Sequence, residues 1–208
     1  MNYKNLTEPK KFKSILKAQA ILDIIMLDKD EEWMRITTYY PNYLENVDMF
    51  KIDNGSGDDM FILFSEHGVI IKGFDHESIL SPHTKNEFKI ADGIYNLVPK
   101  KLLDLLKDKS IEQESVTFCI WRTSEDLEWN KGKVSIPKGE DDGKFLLLYI
   151  NETPDNWKTW AEDYYEEEFD IENIKKIYSN EEITLEMIEE MNPERDSESA
   201  LREIKKII

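Results

Sequence analysis

The sequence predicts an α+β fold in which helices cover an antiparallel sheet of about six strands. Three observations lead to this prediction: an apolar stripe at helical spacing near the start, short β-branched and aromatic runs up to residue 150, and helical patterns after them. Elements in this order indicate α+β rather than alternating βαβ units. With 208 residues, of which 40% are hydrophobic, the chain is long enough for one domain with its own core.

The individual elements follow from local patterns. A helix is predicted over residues 9–29, where apolar side chains recur at i, i+3, i+4 and i+7, and another over residues 98–107. Residues 75–93, which include Asn86, are expected to form a long connection. The predicted strands are residues 34–40, 47–53, 59–65, 69–74, 116–122 and 145–150. The last of these strands, FLLLYI, is an unbroken apolar run typical of a strand buried on both faces.

The segment Gly55–Ser78, GSGDDMFILFSEHGVIIKGFDHES, is the most informative stretch of the chain. Two apolar runs joined by the turn Ser65–Gly68 predict a β-hairpin. Polar clusters precede the first run and follow the second, so small and acidic residues concentrate at one end of the hairpin. The candidate binding residues at this end are Asp58, Asp59, Asp75, His76 and Glu77.

Residues 151–208 are expected to form an acidic helical region packed on the rest of a single domain. They carry 18 acidic and 7 basic side chains, which is −11 of the net charge of −17. Trp157, Trp160 and Tyr164 follow one another at helical spacing beside several acidic residues. Two interpretations stay open: an aromatic anchor for a basic protein partner, or an ordinary helix that faces the core and leaves its outer side solvated.

Charge and residue inventory argue against several classes of protein. A net charge of −17 repels phosphate backbones and so disfavours nucleic-acid binding. The most apolar run, Ala18–Leu27, is too short to cross a bilayer. The single cysteine, Cys119, sits among large apolar neighbours and is expected to be buried rather than nucleophilic. These features predict a cytosolic protein without a cofactor, with neither nucleic acid nor membrane as a partner.

The hairpin end keeps an enzymatic alternative open. Histidine and carboxylate side chains bind metal ions or act as acid and base near neutral pH. The alternative is therefore a metal-dependent enzyme, with its centre at Asp58, Asp59, His76 and Glu77 and with His67 and His83 as further ligands. The other interpretation is a hydrogen-bonded structural role. The enzyme requires these side chains to converge on one pocket, so their positions separate the two interpretations.

The hairpin also resembles a segment that recurs in uncharacterised bacterial proteins. The shared features are the glycine-acidic turn, the FILF-type and IIKGF-type strands and the His-Glu-Ser exit at His76–Ser78. Thr117–Arg122 and Leu185–Pro193 look like parts of the same family, and this resemblance implies no known activity. In addition, the turn, the strand pair and the helix after Pro99 are partly similar to the SUKH superfamily, many of whose members are immunity proteins that neutralise bacterial toxins.

Together these observations predict a non-enzymatic binding protein, an immunity-type partner of a basic bacterial toxin. The acidic, aromatic-bearing tail and the lack of a catalytic signature are the reasons for this prediction. The metal-dependent enzyme is the alternative, and a structural subunit of an assembly is a third possibility. The oligomeric state does not follow from the sequence.

Overall fold

The computed structural model describes residues 3–84 and 87–208, so Asn86 of the predicted long connection lies outside the described residues. An α+β fold is found, as predicted, with a six-stranded sheet in which strands that follow one another along the chain are neighbours. The strands are β1 (Thr37–Leu44), β2 (Val47–Asp53), β3 (Asp59–Ser65), β4 (Gly68–Phe74), β5 (Phe118–Thr123) and β6 (Asn130–Lys131). The α-helices are α1 (Pro9–Met26), α2 (Lys100–Leu103), α3 (Pro154–Tyr165), α4 (Ile171–Tyr178), α5 (Leu185–Met191) and α6 (Ser197–Ile204). Short 3-10 segments cover Tyr3–Asn5, Lys29–Met34, Pro82–Thr84, Asp104–Lys107, Lys109–Ile111 and Lys144–Tyr149.

The chain divides into two compact units. Unit 1 contains the residues up to Pro9 and Tyr40–Tyr149, and unit 2 contains Lys10–Tyr39 and Ile150–Ile208. The predicted acidic region at residues 151–208 therefore shares its unit with the first helix. The expectation of a single domain stays a prediction.

In unit 1, the predicted hairpin is present. Strands β3 and β4 pair antiparallel around Glu66-His67, with Ser65 opposite Gly68. Gly68 has a φ of +127°, and a Cβ added there would lie 2.2 Å from the backbone oxygen of Arg122. Glycine is thus required both by the left-handed backbone and by the close approach of β5.

Burial on both faces explains the continuous apolar runs of the central strands. On one face, Leu63, Cys119 and Trp121 pack with Leu102 and Leu106 in a single cluster. On the other face, the side chains of Phe50, Ile62, Ile71 and Ile120 are also fully buried. Because Cys119 is 0% exposed, burial raises the pKa of its thiol, and the expectation of a buried cysteine is confirmed.

The strand predicted at residues 145–150 is wrong, because Lys144–Tyr149 forms a 3-10 helix. Leu146 and Leu147 are both fully buried, whereas Leu148 is 61% exposed. Two adjacent buried side chains followed by an exposed one do not fit the alternation of a strand. The chain enters this segment at Gly143, whose φ of +85° turns the backbone and whose carbonyl accepts a bond from the Leu146 N–H. The sixth strand is instead the short β6.

The first strand also differs from its prediction of residues 34–40. It begins at Thr37, because Lys29–Met34 forms a 3-10 segment, and it continues through Pro41 to Leu44. Strand β1 lies at an edge of the sheet, where a proline without an N–H leaves a ladder hydrogen bond unmade at little cost.

Unit 2 has its own core, built from α1 and the four helices after residue 153. Leu22 and Ile25 of α1 cluster with Trp157 of α3, Ile174 of α4 and Ile188 of α5. Side-chain caps begin each of the later helices: Thr153, Asp170, Thr184 and Asp196 accept bonds from backbone N–H groups in the first turn. Among the described residues, no helix is at once long enough and apolar enough to cross a membrane.

Candidate functional site

The most exposed tryptophan lies in the acidic 3-10 segment of unit 2. Trp33 is 77% exposed, and Asp30, Glu31 and Glu32 precede it directly. Burying an aromatic side chain removes a large apolar area from water, so a tryptophan left in solvent is a favourable contact for a partner. Sequence patterns placed Trp33 immediately before a predicted strand and gave no sign of its exposure.

Two neighbouring clefts in unit 2 share Glu167 and are strongly acidic. One has a volume of about 440 Å³ and is lined by five acidic side chains and one basic side chain. The other, of about 810 Å³, has the same balance of five to one. The acidic residues of the first cleft are Asp28, Asp30, Glu31, Glu167 and Glu194, and those of the second are Glu162, Glu166, Glu167, Glu168 and Asp170.

The basic residue in each cleft is already paired. Arg195, which is buried, contacts Asp28, and Lys158 contacts Glu162. The remaining carboxylates leave both clefts negative, and a cleft lined by one sign of charge concentrates the field that attracts an oppositely charged partner.

The three aromatic residues predicted in α3 have different positions. Trp157 is fully buried in the core of unit 2, so for this residue the core-facing interpretation is correct. Trp160 is half-buried and stacks on Tyr164, with ring centroids 4.9 Å apart and planes at 17°. Tyr164 is 40% exposed, and its hydroxyl donates to the Met34 carbonyl at 3.3 Å. Trp160 and Tyr164 are thereby tied to the segment that carries Trp33.

A second cluster lies at the end of the hairpin in unit 1 and contains Asp58, Asp75 and His76. One potential ligand atom from each lies within 4.8 Å of the others. His76 donates its backbone N–H to Asp58 Oδ1 at 2.9 Å, and its ring Nδ1 lies 2.7 Å from the same oxygen. Asp75 Oδ1 accepts from the backbone N–H groups of Glu77 and Ser78. The turn after β4 therefore holds both carboxylates in place.

The protonation of this cluster follows from its contacts. Burial opposes ionisation of Asp58, but hydrogen bonds from His76 and Asn54 outweigh it, and the pKa of Asp58 lies below its ordinary value. The hydrogen bond to Asp58 raises the pKa of His76. Burial, aided by the nearby charge of Asp58, raises the pKa of Asp75. Both the raised pKa of His76 and the lowered pKa of Asp58 favour a cationic imidazole paired with an ionised carboxylate.

Asp59 belongs to a different site, because adjacent residues of a strand point to opposite faces. Its Oδ1 lies 3.0 Å from the Nζ of Lys72, a lysine that is 0% exposed and lies over the Phe61 ring at 5.0 Å. Burial lowers the pKa of Lys72 and raises that of Asp59, so desolvation exceeds their mutual attraction in both groups. The signal for this pair was a lone lysine inside the apolar run VIIKGF.

The four residues of the predicted enzyme centre do not form one cluster among the described residues. Asp58 and His76 meet, but Asp59 pairs with Lys72, and Glu77 is exposed. The other histidines stand apart from the Asp58, Asp75 and His76 group: His67 contacts Glu66 at 3.4 Å, and His83 lies 3.2 Å from the Ser115 hydroxyl.

Comparison of the chain with protein-family models, with curated proteins and with solved structures gives no match.

Proposed function

We propose that this chain is a non-enzymatic protein-binding module of the immunity type, which neutralises a basic bacterial toxin in the cytosol. The observation that carries the proposal is the pair of acidic clefts in unit 2, which share Glu167; one of them includes Asp30 and Glu31 from the segment of the exposed Trp33. A basic partner matches this surface in charge, and Trp33 supplies the apolar contact that acidic side chains lack.

The partner surface that fits is one with clustered lysine and arginine side chains and an apolar recess. Complementary charge accelerates encounter and opposes uncharged or acidic competitors, while the buried aromatic contact slows dissociation. Since exposed ion pairs are screened by salt, the association is expected to weaken as ionic strength rises.

The test is a binding titration of the purified chain against a panel of purified basic bacterial toxin domains at about 50 mM and about 300 mM salt. A triple variant, Glu166→Gln with Glu167→Gln and Glu168→Gln, removes three charges from the clefts. We expect its affinity for a bound toxin to fall about tenfold at low salt, since each charge contributes roughly 0.5 kcal/mol. Trp33→Ser is expected to weaken binding at both salt concentrations.

The matched control removes the same charge elsewhere in unit 2. Glu181, Glu182 and Glu186 are exposed and line neither cleft. Their replacement by glutamine should change the affinity less than twofold. Equal losses of affinity in both triple variants would mean that only the overall charge matters. If no toxin domain of the panel binds saturably, the toxin-neutralising function is unsupported.

A second candidate function is metal binding at Asp58, Asp75 and His76, favoured by the spacing of their ligand atoms within 4.8 Å. Carboxylate oxygen and imidazole nitrogen are ligands that Zn²⁺ and Mn²⁺ accept. Calorimetric titration with each ion, repeated with His76→Ala, tests this function, with His67→Ala as the control histidine. Saturable binding that His76→Ala abolishes and His67→Ala preserves would support it; the absence of binding to the wild-type chain would exclude these two ions.

A further inference from the structure

A third cavity in unit 2 has the opposite charge to the acidic clefts. It has a volume of about 380 Å³, within the usual range of small-molecule sites. Four cationic side chains line it, against one acidic side chain. Residues 151–208, which form most of this unit, carry a net charge of −11. A local excess of positive charge is therefore unexpected here. The cations are Lys29, Arg35, Arg202 and Lys206, and the acid is Glu203.

The single acid is already neutralised. Both Nη atoms of Arg35 donate to the carboxylate of Glu203, at 2.5 and 3.2 Å, and Arg195 lies 3.5 Å from the same group. The charges of Lys29 and Lys206 are left without an ion-pair partner among residues 3–84 and 87–208. The lining of the cavity therefore carries two positive charges that no described acidic side chain offsets.

Two of the buried lining residues carry polar atoms without a hydrogen-bond partner in the described part of the chain. Arg35 is 6% exposed and Thr37 is 1% exposed, and neither Arg35 Nε nor Thr37 Oγ1 has a partner. Buried donors of this kind are uncommon in folded proteins, and an acceptor brought by a ligand or an ordered water is the usual explanation. Thr38 and Ser199 add further hydroxyl groups to the lining.

The remaining wall is apolar and includes Ala20, Ile24 and Ile207. We propose that this cavity binds a small organic phosphate, whose dianionic head lies among Lys29, Arg35 and Lys206 and whose organic part contacts the apolar wall. A phosphate monoester offers three oxygen acceptors and about two negative charges, which matches several cations and hydroxyl donors better than a monocarboxylate does. This site is separate from the acidic clefts and does not depend on the toxin-binding function.

The test uses calorimetric titration of the full chain with phenyl phosphate, inorganic phosphate and benzoate at about 50 mM salt. Phenyl phosphate should bind at one site, more tightly than inorganic phosphate because of the apolar wall and more tightly than benzoate because of its charge. Lys29→Gln and Lys206→Gln are each expected to weaken phenyl phosphate binding about three- to tenfold.

Lys205→Gln is the matched control, since Lys205 is exposed, adjoins Lys206 in sequence and does not line the cavity. Its effect should be less than twofold. Thermal unfolding of each variant checks that the fold is retained. Saturable binding lost with Lys206→Gln and kept with Lys205→Gln supports the site. The proposal is overturned if wild-type protein shows no saturable binding of phenyl phosphate, or if Lys205→Gln weakens binding as much as Lys206→Gln does.

Discussion

Asp23 is expected to make the stability of unit 2 depend on pH. This residue of α1 is 1% exposed. Its Oδ2 accepts the Thr37 backbone N–H at 2.6 Å, and its Oδ1 lies 3.3 Å from the Tyr165 hydroxyl. Burial is the largest effect on this carboxyl, and although these hydrogen bonds oppose it, the pKa of Asp23 is raised to about 7.

The magnitude follows from the difference in pKa between the folded and unfolded chains. A pKa of about 4 in the unfolded chain and about 7 in the fold corresponds to roughly 4 kcal/mol. Between these values the fold retains a proton on Asp23 that the unfolded chain has released. The contribution of Asp23 to the free energy of unfolding is therefore complete below about pH 4 and is lost progressively as the pH rises to about 7.

Asp23→Asn removes this titration and keeps an oxygen that accepts the Thr37 N–H. We expect the stability advantage of the variant to be about 1 kcal/mol at pH 4.5 and to grow to roughly 4 kcal/mol at pH 8. Urea unfolding at several pH values, followed by tryptophan fluorescence, measures the difference. Asp163→Asn, at an exposed position of α3, is the control for a lost charge. A stability difference between wild type and Asp23→Asn that stays constant from pH 4.5 to 8 would refute the reasoning.

Three further predictions concern unit 1, and urea unfolding measures each. Gly73→Ala should destabilise the fold by about 3 kcal/mol, because a Cβ there would lie 2.1 Å from an aromatic ring of the neighbouring strand. The control, Gly55→Ala, has a φ of +72° and open space around it, and should lower the stability by only about 1 kcal/mol. Equal losses of stability in the two variants would argue against crowding at Gly73. Lys72→Met should cost about 3 kcal/mol by leaving its half-buried partner Asp59 without this cation, whereas an unchanged midpoint would mean that this ion pair contributes nothing. Leu147→Ala should destabilise the fold by roughly 2–5 kcal/mol because Leu147 is buried, and the exposed Leu148→Ala by less than about 0.5 kcal/mol. A larger loss at Leu148 would argue for the predicted strand and against the 3-10 helix.

Local patterns sufficed for much of the fold. Strands β2 and β3 begin and end where the sequence predicts them, and the hairpin turn at Glu66-His67 is as expected. These strands are rich in β-branched and aromatic residues and are bounded at both ends by turn residues. The local preference of the sequence therefore agrees with the tertiary packing. The strand predicted at 145–150 failed because a short apolar run is equally compatible with one buried helical turn, and periodicity alone does not separate the two.

The candidate sites were harder to predict because they depend on contacts between distant residues. The sequence placed Asp58 and His76 at the same end of the hairpin, and they do meet, but it grouped Asp59 with them although Asp59 contacts Lys72. The cavity of unit 2 combines Lys29 with Lys206, which are separated by most of the chain. No window of neighbouring residues contains that information.

The composition of unit 2 has a consequence for synthesis on the ribosome. Helix α1 is translated well before its buried partners in α3 to α6, which begin only at Pro154. At about 5–20 residues per second, the apolar side of this helix stays uncovered by those partners for roughly ten seconds or more. Unit 1 ends at Tyr149 and has all of its residues sooner. A nascent chain stalled before Pro154 would therefore present the apolar stripe of α1 to chaperones, and the stripe would be covered only once residues 154–204 are translated.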